Sequence, residues 1–117
     1  LLNIQAAVTR RTRGGHIHGE NQQISLHEGL AAETINAARM LKREDVVGSI
    51  QVGKFADFVE LSADPYEVDV LKLAEECTVL GTWLGGRRVD LDSFITMGHT
   101  IPADEHKDLH KHAAHRC

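Results

Sequence analysis

Residues 47–61 read Val-Gly-Ser-Ile-Gln-Val-Gly-Lys-Phe-Ala-Asp-Phe-Val-Glu-Leu, and in this stretch the chain changes from helical to strand composition. Its β-branched and aromatic residues are typical of strands. We expect two short strands, Ile50–Val52 and Phe55–Leu61, with a tight turn at Gly53-Lys54 between them. The stretch decides the fold class because it places a β-region directly after a helical one.

The chain before this β-region is predicted to form two helices, since apolar residues recur there at helical spacing. The first is expected over Asn3–Arg13 and is stopped by Gly14-Gly15, which can adopt the positive φ of a helix C-terminus. A loop without periodicity follows over residues 14–24. The second helix is expected over Ser25–Leu41 and begins with a capping box formed by Ser25 and Glu28.

The chain after the β-region alternates a short helix with strands. Asp64-Pro65 is typical of a helix start and predicts a helix over Tyr66–Glu76, with Val70, Leu71 and Leu73 facing inward. Cys77–Leu84 has strand composition, and Gly85-Gly86 predicts a hairpin to Arg87–Val89. The fold class is therefore α+β.

Composition and charge favour one ordinary domain of a cytoplasmic protein. The 117 residues carry a net charge of −4 and are 42% hydrophobic, and no window is apolar enough to cross a membrane. The acidic balance argues against a nucleic-acid binder, and we assign the basic cluster of Arg10, Arg11 and Arg13 to a solvated helix end. Cys77 and Cys117 are predicted to be a buried and a terminal thiol. Because the chain begins at Leu1 rather than Met, we expect it to be a piece of a longer protein.

Three segments in one order carry a family resemblance. They are Ile-Gln-Ala-Ala-Val-Thr-Arg at residues 4–10, Thr-Ile-Asn-Ala-Ala at 34–38, and Gly-Ser-Ile, Gly-Lys and Ala-Asp-Phe-Val within 47–59. Asp64-Pro65 and the Thr-Trp-Leu-Gly-Gly-Arg segment at 82–87 follow in the same order. Together these segments resemble the C-terminal portion of the metal-dependent amidohydrolases, in particular amidohydrolase family 3. The resemblance covers about residues 1–89.

This resemblance implies a (β/α)8 barrel enzyme whose small composite β-sandwich is built from both chain ends. It implies one or two divalent metals, usually zinc, and hydrolysis of non-peptide C–N bonds in amides or cyclic amides. In that family the metal ligands precede the part that this chain matches. Residues 1–45 would then be the last barrel helices, residues 46–92 strands of the sandwich with a short helix, and residues 93–117 a disordered tail.

The resemblance assigns no catalytic, cofactor-binding or metal-ligating residue to this chain, which is expected to be inactive alone and to need no cofactor itself. Its partners would be the rest of the barrel, a small-molecule substrate and, as an open alternative, a second copy. His16 and His18 spell His-x-His but follow a helix and two glycines, so we expect exposed loop histidines. Asp57 is expected to be structural, and Gly53-Lys54 is too short for a phosphate loop.

The last residues of the chain are rich in histidine, with a cysteine at the end, and the set is His99, His106, His110, His112, His115 and Cys117. In a helix, His106 and His110 would share a face at a spacing that can chelate a metal. The tail has few apolar residues with which to pack, so we expect a solvated segment. The alternative to a hydrolase fragment is a free-standing α+β binding module that collects metal through this tail.

Overall fold

The computed structural model describes residues 1–93 and shows four short helices and one antiparallel sheet. The helices are α1 (Leu2–Thr9), α2 (Leu26–Glu33), α3 (Ile35–Met40) and α4 (Leu73–Glu76). The strands are β1 (Phe58–Leu61), β2 (Val79–Leu84) and β3 (Arg87–Arg88), and 3-10 turns lie at Glu20–Gln22 and Val70–Lys72. The predicted α+β class is confirmed.

The first predicted helix, Asn3–Arg13, is too long at its C-terminal end. α1 ends at Thr9 because Arg10 adopts a left-handed conformation with φ 53° and turns the chain back. Residues 10–18 form a short hairpin with an antiparallel bridge between Arg11 and Ile17. Gly14-Gly15 therefore makes the turn of this hairpin and does not cap a helix.

The second predicted helix, Ser25–Leu41, is broken in its middle. Its capping box is confirmed, since the Ser25 hydroxyl accepts from the Glu28 N–H at 3.1 Å and the Glu28 carboxylate accepts from the Ser25 N–H at 2.7 Å. At Thr34 the backbone leaves helical geometry with φ −123° and ψ −97°, which separates α2 from α3. The Thr34 hydroxyl donates to the Leu30 carbonyl at 2.7 Å, a local bond that competes with the helix ladder.

The strand predicted at Ile50–Val52 is wrong. This segment is a turn in which the Lys54 N–H donates to the Gln51 carbonyl at 3.1 Å and Gly53 has φ 91°. Ile50 and Val52 are almost fully exposed, and no strand within residues 1–93 pairs with them despite their β-branched side chains. The following strand is shorter than Phe55–Leu61 and covers only Phe58–Leu61.

The predicted helix over Tyr66–Glu76 begins later than expected. Asp64 accepts from the Tyr66 N–H at 2.9 Å and closes a turn instead of starting a helix. Asp69 provides the cap, since its carboxylate accepts from the Leu71 N–H at 3.0 Å, and a 3-10 turn then leads into α4. Of the residues expected to face inward, Leu73 is fully buried but Leu71 is exposed.

The sheet has the order β1-β2-β3 with antiparallel pairs throughout. The predicted hairpin is confirmed, because Gly85 and Gly86 join β2 to β3 with φ of 56° and 77°. Phe58 lies opposite Trp83 in the register, and the two rings stack with centroids 5.6 Å apart. β2 begins at Val79, so the predicted strand Cys77–Leu84 loses its first two residues.

The core lies between the helices and not under the sheet. Ile4, Leu73 and Cys77 form its buried cluster, and Leu1, Val8, Leu26, Leu30 and Leu61 pack against them. Cys77 is 1% exposed, which agrees with the predicted buried thiol, and its Sγ donates to the Ala63 carbonyl at 3.3 Å. Leu61 connects the first strand to this cluster.

The predicted histidine-rich tail lies outside the described residues, together with His99, His106, His110, His112, His115 and Cys117. Within residues 1–93, no helix is both long and apolar enough to cross a bilayer.

Candidate functional site

The hairpin of residues 10–18, which we call the arginine hairpin, carries three arginines within four residues, Arg10, Arg11 and Arg13. Its strands are held by bonds from the Thr12 N–H to the His16 carbonyl at 2.9 Å and from the His18 N–H to the Arg10 carbonyl at 3.0 Å. Residues 11–18 are all exposed. Sequence reasoning expected a helix end and a loop here and missed the hairpin, although Gly14-Gly15 is a common hairpin turn signal.

Within residues 1–93, the two histidines of this hairpin are not part of a group that could hold a metal ion. His16 and His18 are exposed, as predicted. In the part of the chain that the structure describes, no group of three or more His, Cys, Asp or Glu side chains is placed to hold a metal ion. A zinc site needs at least three protein ligands held together, so the described residues do not fit one.

Asp57 has a structural environment of the kind predicted for it. Its carboxylate accepts from the Gly85 N–H at 2.7 Å and so ties the entry of β1 to the β2–β3 turn. The Gly86 N–H donates to the Ala56 carbonyl at 2.9 Å beside it. These two bonds hold the Ala-Asp segment against the last hairpin, which gives the short carboxylate a role in folding.

Lys54 fastens the loop between α3 and β1, a role that the sequence pattern did not reveal. Its ammonium group donates to the Glu44 carbonyl and, at 2.8 Å, to the Ser49 hydroxyl. The side chain thereby closes residues 44–54 into a compact loop. Gly53-Lys54 is thus a turn whose lysine side chain holds the preceding loop.

An open groove of about 510 Å³ lies between α2, α3 and this loop. At one end His27 Nδ1 and the Tyr66 hydroxyl are hydrogen-bonded at 2.9 Å. Lys54 and Arg39 line the groove, but the first is bound to the loop and the second donates to the Asn36 side chain at 3.0 Å. Leu30, Ala31 and Ile35 give the groove its apolar part, and the polar side chains of His27, Tyr66, Lys54 and Arg39 are already hydrogen-bonded.

Two carboxylates in the described chain have lowered pKa values, and both are structural. The backbone N–H and then the hydroxyl of Ser25 lower the pKa of Glu28 below its usual range. The side chain and then the backbone of Ser93 do the same for the pKa of Asp90. Glu28 accepts from the Ser25 N–H at 2.7 Å and Asp90 accepts from the Ser93 N–H at 3.2 Å, so each carboxylate stabilises a local turn or helix start.

The family model of the amidohydrolase family matches residues 1–90 of the chain. The chain belongs to the amidohydrolase family. This confirms the family resemblance carried by the segments at residues 4–10, 34–38 and 47–59.

Individual amidohydrolase relatives match shorter or longer parts of the chain. An imidazolonepropionase of Bacteroides fragilis is 44% identical over 48 residues, which are 41% of this chain and 12% of the relative. The protein LONG AFTER FAR-RED 3 of Arabidopsis thaliana is 34% identical over 90 residues, 76% of this chain and 15% of the relative. The Bacillus subtilis protein named as amidohydrolase YtcJ is 33% identical over 76 residues, 62% of this chain and 14% of the relative.

The chain thus spans a small part of the length of the curated relatives it matches, 12–15% in these three cases. No solved structure matches the chain. The chain thus combines membership of this family with side chains, such as those of Glu28, Lys54 and Asp57, that hold its local structure together.

Proposed function

We propose that this chain is the C-terminal part of a metal-dependent amidohydrolase that hydrolyses C–N bonds in small amides or cyclic amides. The observation that carries the proposal is the family match over residues 1–90, combined with relatives of which this segment makes up only 12–15%. In this proposal the segment supplies scaffold, and the groups that perform the hydrolysis belong to the remainder of the polypeptide.

The proposed architecture is the end of a (β/α)8 barrel followed by strands of a composite sandwich. α1 and the α2–α3 pair would be the last helices of the barrel, and β1, β2 and β3 would close the sandwich. Exposed apolar side chains support this assignment, since Val59, Leu80 and Leu84 are 54%, 52% and 63% exposed on the sheet. Apolar sheet faces of this kind are normally covered by another layer.

The metal of the proposed enzyme would be a divalent cation, with zinc the first candidate. Its ligands would lie in the remainder of the polypeptide, because the described residues offer no suitable cluster. When bound, such a metal polarises a carbonyl and activates water. The residues of this chain would act on that chemistry only through the fold, for example through the Asp57 and Lys54 contacts that hold the β-region in place.

The substrate proposal is a cyclic or open amide of small size. Imidazolonepropionases are among the relatives at 44% identity over 48 residues, so an imidazolone is the first cyclic compound to try. Substrate choice in barrel enzymes depends on loops at the catalytic face, and most of these lie outside this chain.

The test is to purify the polypeptide that carries this chain from its natural source, using an antibody against residues 25–41. We expect a mass several times the 12.9 kDa of this chain, bound zinc by elemental analysis, and release of carboxylate from at least one amide in a panel that includes an imidazolone. Removal of the metal with a chelator should abolish the activity, and added zinc should restore it.

A native mass near 12.9 kDa with no hydrolysis would contradict the proposal and favour the binding module. The isolated 117-residue chain gives a second discriminator. We expect it to self-associate through its sheet in sedimentation experiments, and Val59→Lys to reduce that association. Glu60→Gln, a change at the next position of the same strand, should have little effect because it neither adds nor removes exposed apolar surface and does not reverse the charge beside Arg88.

A further inference from the structure

We propose that α4 is a releasable strap whose N-terminal end is fastened to α1 by the side chain of Gln5. We call the contact of Gln5 with Leu71 and Ala74 the Gln5 clasp. When the clasp opens, α4 melts while α1 and α2 keep their structure. The inference rests on the proposed function only for the assignment of α1 to the barrel and of α4 to the sandwich, which makes the clasp a joint between the two.

α4 is too short to be stable through its own local interactions. It has four residues, Leu73–Glu76, and a single helical turn gains too few backbone hydrogen bonds to offset the ordering of its chain. Its N-cap residue, Lys72, makes no side-chain cap hydrogen bond. The ion pair between Lys72 and Glu76, at 3.9 Å, is exposed and contributes little. The helix therefore depends on contacts with other elements.

Gln5 supplies the cap that α4 lacks, from 69 positions earlier in the chain. Its Oε1 accepts from the Ala74 N–H at 2.8 Å, and this N–H is one of those at a helix start that have no partner within the helix. Its Nε2 donates to the Leu71 carbonyl at 2.7 Å, in the preceding 3-10 turn. Because an amide carries both a donor and an acceptor, one side chain holds both sides of the entry into α4.

The α1 side of the clasp is held independently of α4. Ile4 packs so closely on α2 that a Cβ at Gly29 would lie 2.9 Å from the Ile4 Cγ2. At the other end of α1, the Gln23 side chain donates to the Thr9 carbonyl at 3.2 Å. Opening the clasp removes neither contact, so α1 keeps its place on α2.

The C-terminal end of α4 is attached to the sheet region. Cys77 Sγ donates to the Ala63 carbonyl at 3.3 Å, just beyond the end of β1. Between this attachment and the clasp, Leu73 and Cys77 pack against Ile4 and are 0% and 1% exposed. Melting of α4 therefore uncovers a buried leucine and a buried thiol, and it frees the sheet region from α1.

The experiment measures amide hydrogen exchange by mass spectrometry in the purified full-length natural polypeptide and its variants. Peptides that cover residues 1–9, 25–33 and 70–77 report on α1, α2 and the strap. The variants are Gln5→Ala and Gln5→Glu, and Gln51→Ala is the matched control because it removes the same side chain from an exposed turn. Alkylation of Cys77 by N-ethylmaleimide, followed in the peptide that contains it, is the second readout.

We expect Gln5→Ala to raise the exchange rate in residues 70–77 about tenfold through loss of the two clasp bonds, and to change residues 1–9 and 25–33 by less than about twofold. Alkylation of Cys77 should accelerate by a similar factor. Gln5→Glu should have an intermediate effect, since its carboxylate still accepts from the Ala74 N–H but does not donate to the Leu71 carbonyl. Gln51→Ala should behave as the natural protein does.

Two results would overturn the releasable strap. One is an equal rise of exchange in all three peptides of Gln5→Ala, which would show a general loss of stability. The other is unchanged exchange in residues 70–77 of that variant. Hydrolysis of the amide panel tests the proposed function separately. A polypeptide that hydrolyses no amide but shows the expected exchange pattern would contradict the proposed function and leave the Gln5 clasp in place, and an active enzyme with unchanged exchange would do the reverse.

Discussion

The helical cluster and the sheet of this protein differ sharply in how much apolar surface they bury. Ile4 and Leu73 in the helical cluster are 6% and 0% exposed, whereas Val59 and Leu84 in the sheet are 54% and 63% exposed. Both regions contain large apolar side chains, so the difference lies in what packs against them. The helices form a small core with one another, and the sheet presents a layer that under the proposed function is covered by the rest of the polypeptide.

The largest expected effect is the difference in the free energy of unfolding between a side-chain truncation in the helical cluster and one in the sheet. Leu73→Ala should lower the free energy of unfolding of the 117-residue chain by about 2–5 kcal/mol, because it opens a cavity in the helical core. At a concentration low enough to keep the chain monomeric, Val59→Ala should change it by less than about 0.5 kcal/mol, since the side chain is exposed in a single chain. Urea denaturation followed by the fluorescence of the single tryptophan, Trp83, measures both. Similar losses for the two variants would show that the sheet is covered in the isolated chain.

The junction between the two regions should be the next most sensitive point. Gly48 has φ 90°, and a Cβ there would lie 2.6 Å from the Ala38 Cβ and 3.2 Å from the Thr34 carbonyl oxygen. Gly48→Ala should therefore lower the free energy of unfolding by about 2–4 kcal/mol through backbone strain and overpacking.

Gly53→Ala is the control for this junction, with φ 91° and no atom within 4 Å of the added carbon. It should cost only the backbone strain, about 1–2 kcal/mol, in the same denaturation assay. If both glycine variants lost equal stability, the close approach of residue 48 to α3 would not contribute to the free energy of unfolding lost in Gly48→Ala.

The capping box offers a smaller change confined to the helical region. Ser25→Ala should lower the free energy of unfolding by about 1 kcal/mol, because the Glu28 N–H loses its acceptor. Glu33→Gln, at the other end of the same helix, should have little effect. Circular dichroism during thermal unfolding measures both, and a Ser25→Ala variant as stable as the natural chain would contradict the role of the cap.

The smallest expected effect is the pH dependence of the same cap. The folded-state pKa of Glu28 is lowered by its bonds to Ser25, so the stabilisation is present above the ordinary glutamate pKa of about 4.3. It is lost as the pH falls through the lowered value of the folded state. We expect Glu28→Gln to flatten this part of the stability curve between pH 7 and pH 3. An unchanged curve would show that the carboxylate does not stabilise the start of α2.

Short sequence patterns correctly predicted the elements that depend on interactions between residues close together in the chain. The Ser25–Glu28 capping box and the Gly85-Gly86 hairpin are present as expected, because each depends on residues that are neighbours in sequence. The buried Cys77 was also predicted, from the apolar run around it. In contrast, the helix over Asn3–Arg13 was too long, since Arg10 left the helix by adopting positive φ, which few side chains do.

Long-range packing decided the points that the pattern could not show. Ser25–Leu41 has continuous helical periodicity, yet the backbone breaks at Thr34 where Gly48 approaches it. Ile50–Val52 has strand composition, yet Lys54 clamps that segment into a turn. Gly48 lies 14 positions from Thr34, and Lys54 bonds Glu44 ten positions away, and periodicity within one segment does not contain such contacts.

The sequence by itself determined that the protein is an α+β member of the amidohydrolase family, because ordered motifs and turn residues are properties of the chain. Only the tertiary structure decided where its core lies and where its charge is concentrated. The arginine hairpin is an example. Its three arginines and two glycines can be read in the sequence, but the position of the hairpin depends on hydrogen bonds from the Arg10 and Gln23 side chains to carbonyls eight and 14 residues away. Contacts of that kind arise from folding and cannot be deduced from the periodicity of a segment.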